Sequence, residues 1–177
     1  MIKDDTILIT GGAGMIGRVW PGGFKPSQAE LDVRAGVQVA AYLKEKPPSA
    51  IVHLAAIDIY QAEADPLLAF ETNVLGTYNI ARAALSAAVP LVFVSSGAVF
   101  NGGPDDAHDE QSEPQPCNVF GYTKYTSEIL LQEMKGDFLI IRTGWVFGGS
   151  QAQHKKFVDI ALAKAVRGEN IEAVNDR

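Results

Sequence analysis

Three glycines at a spacing of three, Gly11, Gly14 and Gly17, stand directly behind the apolar run Ile7-Leu8-Ile9-Thr10. A glycine at the first turn adopts positive φ without strain, and the missing side chains let the backbone approach a pyrophosphate closely. A helix opening at Met15 and Ile16 presents free N–H groups and a favourable dipole to the same phosphates. Glycines alone mark only a tight turn. Strand, turn and helix start together read as a dinucleotide cradle, with Gly11, Gly14, Met15, Ile16 and Gly17 as its contacts.

Other chemistry-bearing residues give weaker signals. Asp105, Asp106, Asp109, Glu110 and Glu113 cluster around His108 with no Lys or Arg among them. They lack regular ligand spacing, so the stretch reads as a solvated loop and no metal is expected. The single Cys117 has no partner for an intrachain disulfide and no C-x-x-C context. That fits a reduced, cytoplasmic compartment and argues against a catalytic thiol. A net charge of -6 over 177 residues lacks the basic footprint of a nucleic-acid or anionic-membrane binder. No apolar run approaches membrane-spanning length, and the N-terminus has no signal-peptide layout.

The elements that must position these residues alternate. Thr6 to Thr10, Ala50 to Leu54, Leu91 to Ser95 and Phe138 to Ile141 read as buried parallel strands. Helical spacing covers Val37 to Lys44, Pro66 to Ala88, Thr123 to Met134 and Phe157 to Val166. The pattern predicts an α/β, Rossmann-like, doubly wound parallel sheet with ligands at the carboxyl ends of its strands. The first crossover is shortened: Pro21-Gly22-Gly23 interrupts the helix near Trp20, and Phe24 to Ala29 holds no strand-like run. Arg18 and Lys25 read as surface charges, which leaves NAD against NADP open. Asn170 to Val174 reads as a last strand, so residues 1–177 are expected to form a single domain.

Seven segments, in order, resemble extended short-chain dehydrogenase/reductases of the sugar-nucleotide-modifying, epimerase/dehydratase group. They are TGGAGMIG at 10–17, ELDV at 30–33, IVHLAA at 51–56, FETNVLGTYNIARAA at 70–84, VFVSSGAVFNG at 92–102, PQPCNVFGYTK at 114–124 and IIRTGWVFGG at 140–149. The resemblance implies NADPH or NADH as cofactor and a nucleotide-linked 4-keto-6-deoxy sugar as substrate. It implies that Asp32 and Val33 line the adenine and that Ala55 and Ala56 run under the phosphates and ribose. Ser96 matches the residue that hydrogen-bonds the substrate carbonyl. Lys124 matches the lysine that holds the nicotinamide ribose and lowers the pKa of a catalytic tyrosine. Trp145 stands where contacts to the sugar nucleotide begin, a position equally suited to core packing. Asn73, a poor helix former in mid-helix, is expected to be a buried amide tying its helix to a neighbouring strand. A homodimer contact is implied on the helices from Pro66 and Thr123.

Two departures stand out. The tyrosine position, one helical turn before Lys124, is Phe120, which has no proton to give. Tyr122 is two residues from Lys124, about 200° around a helix, and reaches the same face only if the chain before Thr123 is not helical. The substrate domain that family members carry at the C-terminus is also expected to be largely absent. Besides the reductase, the sequence therefore admits a non-catalytic cofactor- or partner-binding relative, or a truncated or substituted version of a conventional reductase.

Overall fold

A computed structural model describes residues 6–102, 107–148 and 157–172 of the chain. The described residues fall into two compact units. One runs up to Asn101 and resumes over Glu113–Thr143; the other joins Gly102–Ser112 to the residues from Gly144 onward.

The first unit holds a four-stranded, wholly parallel sheet in the order β1 (Ile7–Thr10), β2 (Ala50–His53), β3 (Leu91–Ser96), β4 (Phe138–Thr143). The strands are short and apolar because both faces of a parallel sheet are normally covered. Leu8, Ile9, Ile51, Leu91 and Phe93 are fully or almost fully buried and anchor the core. Helices connect the strands: α1 (Met15–Val19), α2 (Gly36–Glu45), α3 (Ile59–Ala64), α4 (Pro66–Ala69), α5 (Gly76–Ala87) and α6 (Val119–Met134). The second unit contains α7 (Phe157–Val166).

The shortened first crossover is confirmed. Helix α1 has five residues, and among the described residues the only trace of a further strand beside β1 is a single parallel bridge between Leu8 and Phe24. The Phe24 N–H donates to the Ile7 carbonyl at 2.9 Å, and its carbonyl accepts from Ile9 at 3.0 Å. One residue thus caps the free edge of β1.

Three expectations need correction. The helix expected over Pro66 to Ala88 is divided, with a π-helical turn at Phe70–Leu75 between α4 and α5. The helix expected from Thr123 begins at Val119, because Asn118 caps it by accepting the Gly121 N–H at 2.8 Å. Glu63 of α3 adds a second anchor, accepting the Val119 N–H at 2.7 Å. The last expected strand is absent over Asn170, Ile171 and Glu172, which have no regular structure. Its remainder lies outside the described residues, as do Asp105, Asp106 and Gly149.

Candidate active site

The glycine loop closes at the carboxyl end of β1. Gly11 takes φ +68°, and the Gly14 N–H donates back to its carbonyl at 2.9 Å. A side chain on Gly11 would put its Cβ 2.7 Å from the backbone of Leu54 and Ala55, so the loop lies flush against the segment leaving β2. Thr10 fixes that segment from the other side: its Oγ1 accepts the Leu54 and Ala55 N–H groups, both at 3.2 Å. Gly14 and Ala56 are exposed; Met15, Ile16 and Ala55 are half-buried, and Gly17 is buried. Helix α1 leaves its first N–H groups without intrahelical acceptors. Bare backbone, free N–H groups and two alanines at neighbouring strand ends suit the phosphates of a dinucleotide.

Asp32 and Val33 do different things. The Arg34 guanidinium grips the Asp32 carboxylate at 2.6 to 3.1 Å, which holds the Asp32 pKa below the usual carboxylate range. Val33 turns its side chain into the core, over the space that Gly76 leaves.

Ser96 ends β3, and its Oγ accepts the Ala98 N–H at 3.1 Å across a tight 3₁₀ turn over Gly97–Val99. Helix α6 rests directly on that turn. A Cβ on Gly121 would overlap the Ala98 carbonyl, so only glycine permits the approach. This contact brings the first turn of α6, with Phe120 half-buried in it, against the turn that follows Ser96. Because that turn is helical, Tyr122 points away from the Lys124 face and is 53% exposed.

Lys124 is 4% exposed. Its Nζ stands 4.1 Å from the centre of the Phe93 ring and makes no hydrogen bond among the described residues. Burial pulls its pKa down to about 7, opposed by the charge of Glu128 one helical turn along. Glu128 is itself 1% exposed and committed elsewhere. It takes the Arg142 guanidinium at 2.7 to 3.2 Å and the hydroxyl of Ser95.

A buried polar chain connects the loop to α6. Thr77 Oγ1 donates to the Asn73 carbonyl at 2.5 Å, so it accepts from His53 Nε2 at 3.1 Å. His53 Nδ1 is then the acceptor for the Thr10 hydroxyl at 2.6 Å, which fixes the neutral tautomer. Asn73 accepts the Ile57 N–H at 2.9 Å and donates to Thr123 Oγ1 at 2.9 Å. Asn73 is thus a structural amide, tied to the segment after β2 and to α6 rather than to a strand. His53, Thr77, Thr123, Glu128 and Arg142 went unrecognised in the sequence. Only the four-residue spacing of Lys124 and Glu128 hinted at any of them.

Trp145 belongs to the second unit and is 85% exposed, which removes its core-packing reading. Among the described residues no group of three or more His, Cys, Asp and Glu is arranged to hold a metal, and no helix is long and apolar enough to cross a membrane.

The fold defines a Rossmann-like α/β protein with a glycine loop at the carboxyl end of its first strand. The chain belongs to the family described as RmlD substrate binding domain, which matches residues 5–177. It is 32% identical over 140 residues to dTDP-4-dehydrorhamnose reductase of Salmonella typhimurium, covering 78% of this chain and 46% of that protein. It is 31% identical to dTDP-4-keto-6-deoxy-D-glucose reductase of Streptomyces niveus, covering 81% of this chain and 54% of the relative. The crystal structure of dTDP-4-dehydrorhamnose reductase from Bacillus anthracis, in complex with NADP, superposes with a TM-score of 0.85 at 28% identity, over 97% of this chain and 63% of that one. The chain therefore spans about half the length of the curated relatives it matches.

The buried histidine yields a pH test. Burial, and next the charge of Lys124, drive the His53 pKa from 6.5 down to about 3. Between those values the unfolded chain binds a proton that the folded chain refuses, so stability falls as pH falls below about 6.5. Urea melts from pH 7 to 5 should show this loss, and His53→Gln should remove most of it. An equal loss in the variant would assign the effect elsewhere.

Proposed function

We propose that this chain is the cofactor-binding and catalytic part of an NAD(P)H-dependent reductase acting on a nucleotide-linked 4-keto-6-deoxy sugar, as its dTDP-4-dehydrorhamnose reductase relatives' names describe. The observation that supports the reading is the close seating of α6 on the turn after Ser96, where Gly121 meets the Ala98 carbonyl in the helical turn that also holds Phe120. NADPH or NADH would lie on Gly11, Gly14, Met15, Ile16 and Gly17, with Ala55 and Ala56 beneath it and Asp32 and the Val33 backbone toward the adenine. When bound, the reduced nicotinamide supplies hydride. Ser96 Oγ, its lone pair engaged by Ala98, keeps its proton to donate toward a substrate carbonyl. Lys124 Nζ, with no protein hydrogen bond among the described residues, holds the ribose. Trp145 would contact the sugar nucleotide. We place the protein in the cytoplasm and treat residues 1–177 as one functional domain.

The reading makes Phe120 the deficient position. Restoring a phenol with Phe120→Tyr should raise NADPH oxidation with dTDP-4-keto-6-deoxy sugars by about 100-fold or more, the usual worth of a positioned general acid. A variant that binds cofactor yet transfers no hydride to any 4-keto sugar nucleotide would refute the reductase. It would favour a non-catalytic cofactor- or partner-binding relative, which the phenyl ring at position 120 also supports.

We further propose a homodimer. Phe70, Val74, Leu75 and Tyr78, with Leu130 of α6, line an apolar groove on the outer helices. Light scattering should give twice the chain mass for the unmodified protein and a monomer for Leu75→Glu. A monomer at every concentration would end the proposal.

A further inference from the structure

Ser96 is placed by what holds the residues on either side of it. Its backbone is the junction between the end of β3 and the 3₁₀ turn over Gly97–Val99. Upstream, Ser95 is buried and fixed at two atoms. Its hydroxyl donates to Glu128 Oε1 of α6, and its carbonyl accepts the Thr143 hydroxyl of β4 at 3.3 Å. Downstream, Phe100 closes the turn, its N–H donating to the Gly97 carbonyl at 3.0 Å. The centre of its ring lies 5.1 Å from the guanidinium carbon of Arg142. Arg142 is the residue that Glu128 holds, through Nε at 3.1 and 3.2 Å and a terminal nitrogen at 2.7 Å. One ion pair thus touches both ends of the segment from Ser95 to Phe100, and Ser96 stands between the two contacts.

We propose that the Glu128–Arg142 pair is the positioning device of Ser96, acting through Ser95 on one side and Phe100 on the other. The role rests on the reductase reading above, in which Ser96 Oγ meets the substrate carbonyl. A hydroxyl in that role tolerates little drift, since a displacement of about 1 Å costs up to about 100-fold in rate. Drift is easiest at a strand end, and the β3–β4 ladder stops at Ser96 and Thr143.

The use of ions here has a physical reason. A buried pair adds little stability over apolar side chains of the same volume, because both ions give up water. Apolar side chains lack direction, however: they accept no hydroxyl proton and fix no rotation. Each oxygen of the Glu128 carboxylate takes two bonds, so one rigid group sets Ser95 and Arg142 in a single geometry. Two turns earlier on the same helix, Gly121 meets the Ala98 carbonyl, so α6 holds the turn at its middle as the pair holds its ends. A lock between α6 and β4 needs only the bonds to Arg142. The Ser95 hydroxyl and the Phe100 ring are surplus to that lock and point to the serine between them.

Ser95→Ala separates the two roles, because it removes one hydroxyl and leaves the ion pair in place. In NADPH oxidation with a dTDP-4-keto-6-deoxy sugar, in the unmodified chain and in Phe120→Tyr, it should lower kcat about tenfold and leave KM for NADPH within about twofold. Added to Ser96→Ala it should lower the rate no further, since the hydroxyl it displaces is already gone. Amide hydrogen exchange gives a readout that needs no turnover. In Ser95→Ala the Ala98 and Phe100 N–H groups should exchange about tenfold faster, with that of Leu131 in α6 unchanged. Glu128→Gln, which keeps an acceptor for Ser95, should stay closer to the unmodified chain than Glu128→Met in both readouts. Unchanged exchange at Ala98 and Phe100, or rate losses that multiply in the double variant, would overturn the proposal and leave the reductase standing. No turnover by any chain in either background would sink the reductase reading. Faster exchange in Ser95→Ala would then still establish the hold on the turn, and unchanged exchange would remove that as well.

Discussion

The side-chain amide of Asn73 joins three parts of the fold that have no backbone pairing with one another. It accepts the Ile57 N–H after β2, donates to Thr123 of α6, and sits in the π-helical turn that leads into α5. The wide turn leaves the Asn73 carbonyl to two hydroxyls, Thr77 at 2.5 Å and Ser127 at 2.9 Å. Asn73 and Ser127 are fully buried, so an unpaired group here would carry its full desolvation cost. The amide therefore helps set the position of α6, and with it Phe120 and Lys124, alongside Glu63 at its start and Arg142 further along. A π-turn in a helix is most often found where function demands special geometry, and this one supports the site from behind.

Electrostatics divide the lower part of α6 from the upper. Glu128 and Arg142 form a buried, two-pronged pair that locks α6 to β4, with Ser95 supplying a further bond. Such a pair specifies geometry more than it adds stability, since both ions gave up water to make it. One turn above it, Lys124 is left with an aromatic face. The contrast is one of partners: the lower carboxylate is gripped by a guanidinium and a hydroxyl, whereas burial pulls the pKa of the upper amine down to about 7.

Much of this was legible in the sequence. The four strands declare themselves as apolar runs, and the glycine loop follows from spacing behind the first of them. The short first crossover was visible in Pro21-Gly22-Gly23, although the single bridge at Phe24 was not, because one paired residue leaves no periodic trace. The start of α6 was misjudged because Val119, Phe120 and Gly121 are weak helix formers; Asn118 was the overlooked cap. The Asp58 and Gln61 capping box starts α3 in the same way. The polar chain from Thr10 to Thr123 had no local signature at all. Apart from the local Thr77–Asn73 link, its bonds span 24 to 50 residues and depend on which buried hydroxyls the fold brings together.

The account rests on the glycine loop still doing what its geometry suits, despite the reduced crossover behind it. Gly11 packs on Ala55 with no room for a side chain, and Thr10 clamps the same segment, so the cradle is supported by β2 and does not need a full second strand. The direct measurement is a calorimetric titration of the chain with NADPH and with NADH. One saturable site per chain for at least one of them, abolished by Gly11→Val, is the result this structure predicts. No heat with either nucleotide, from folded protein, would contradict it.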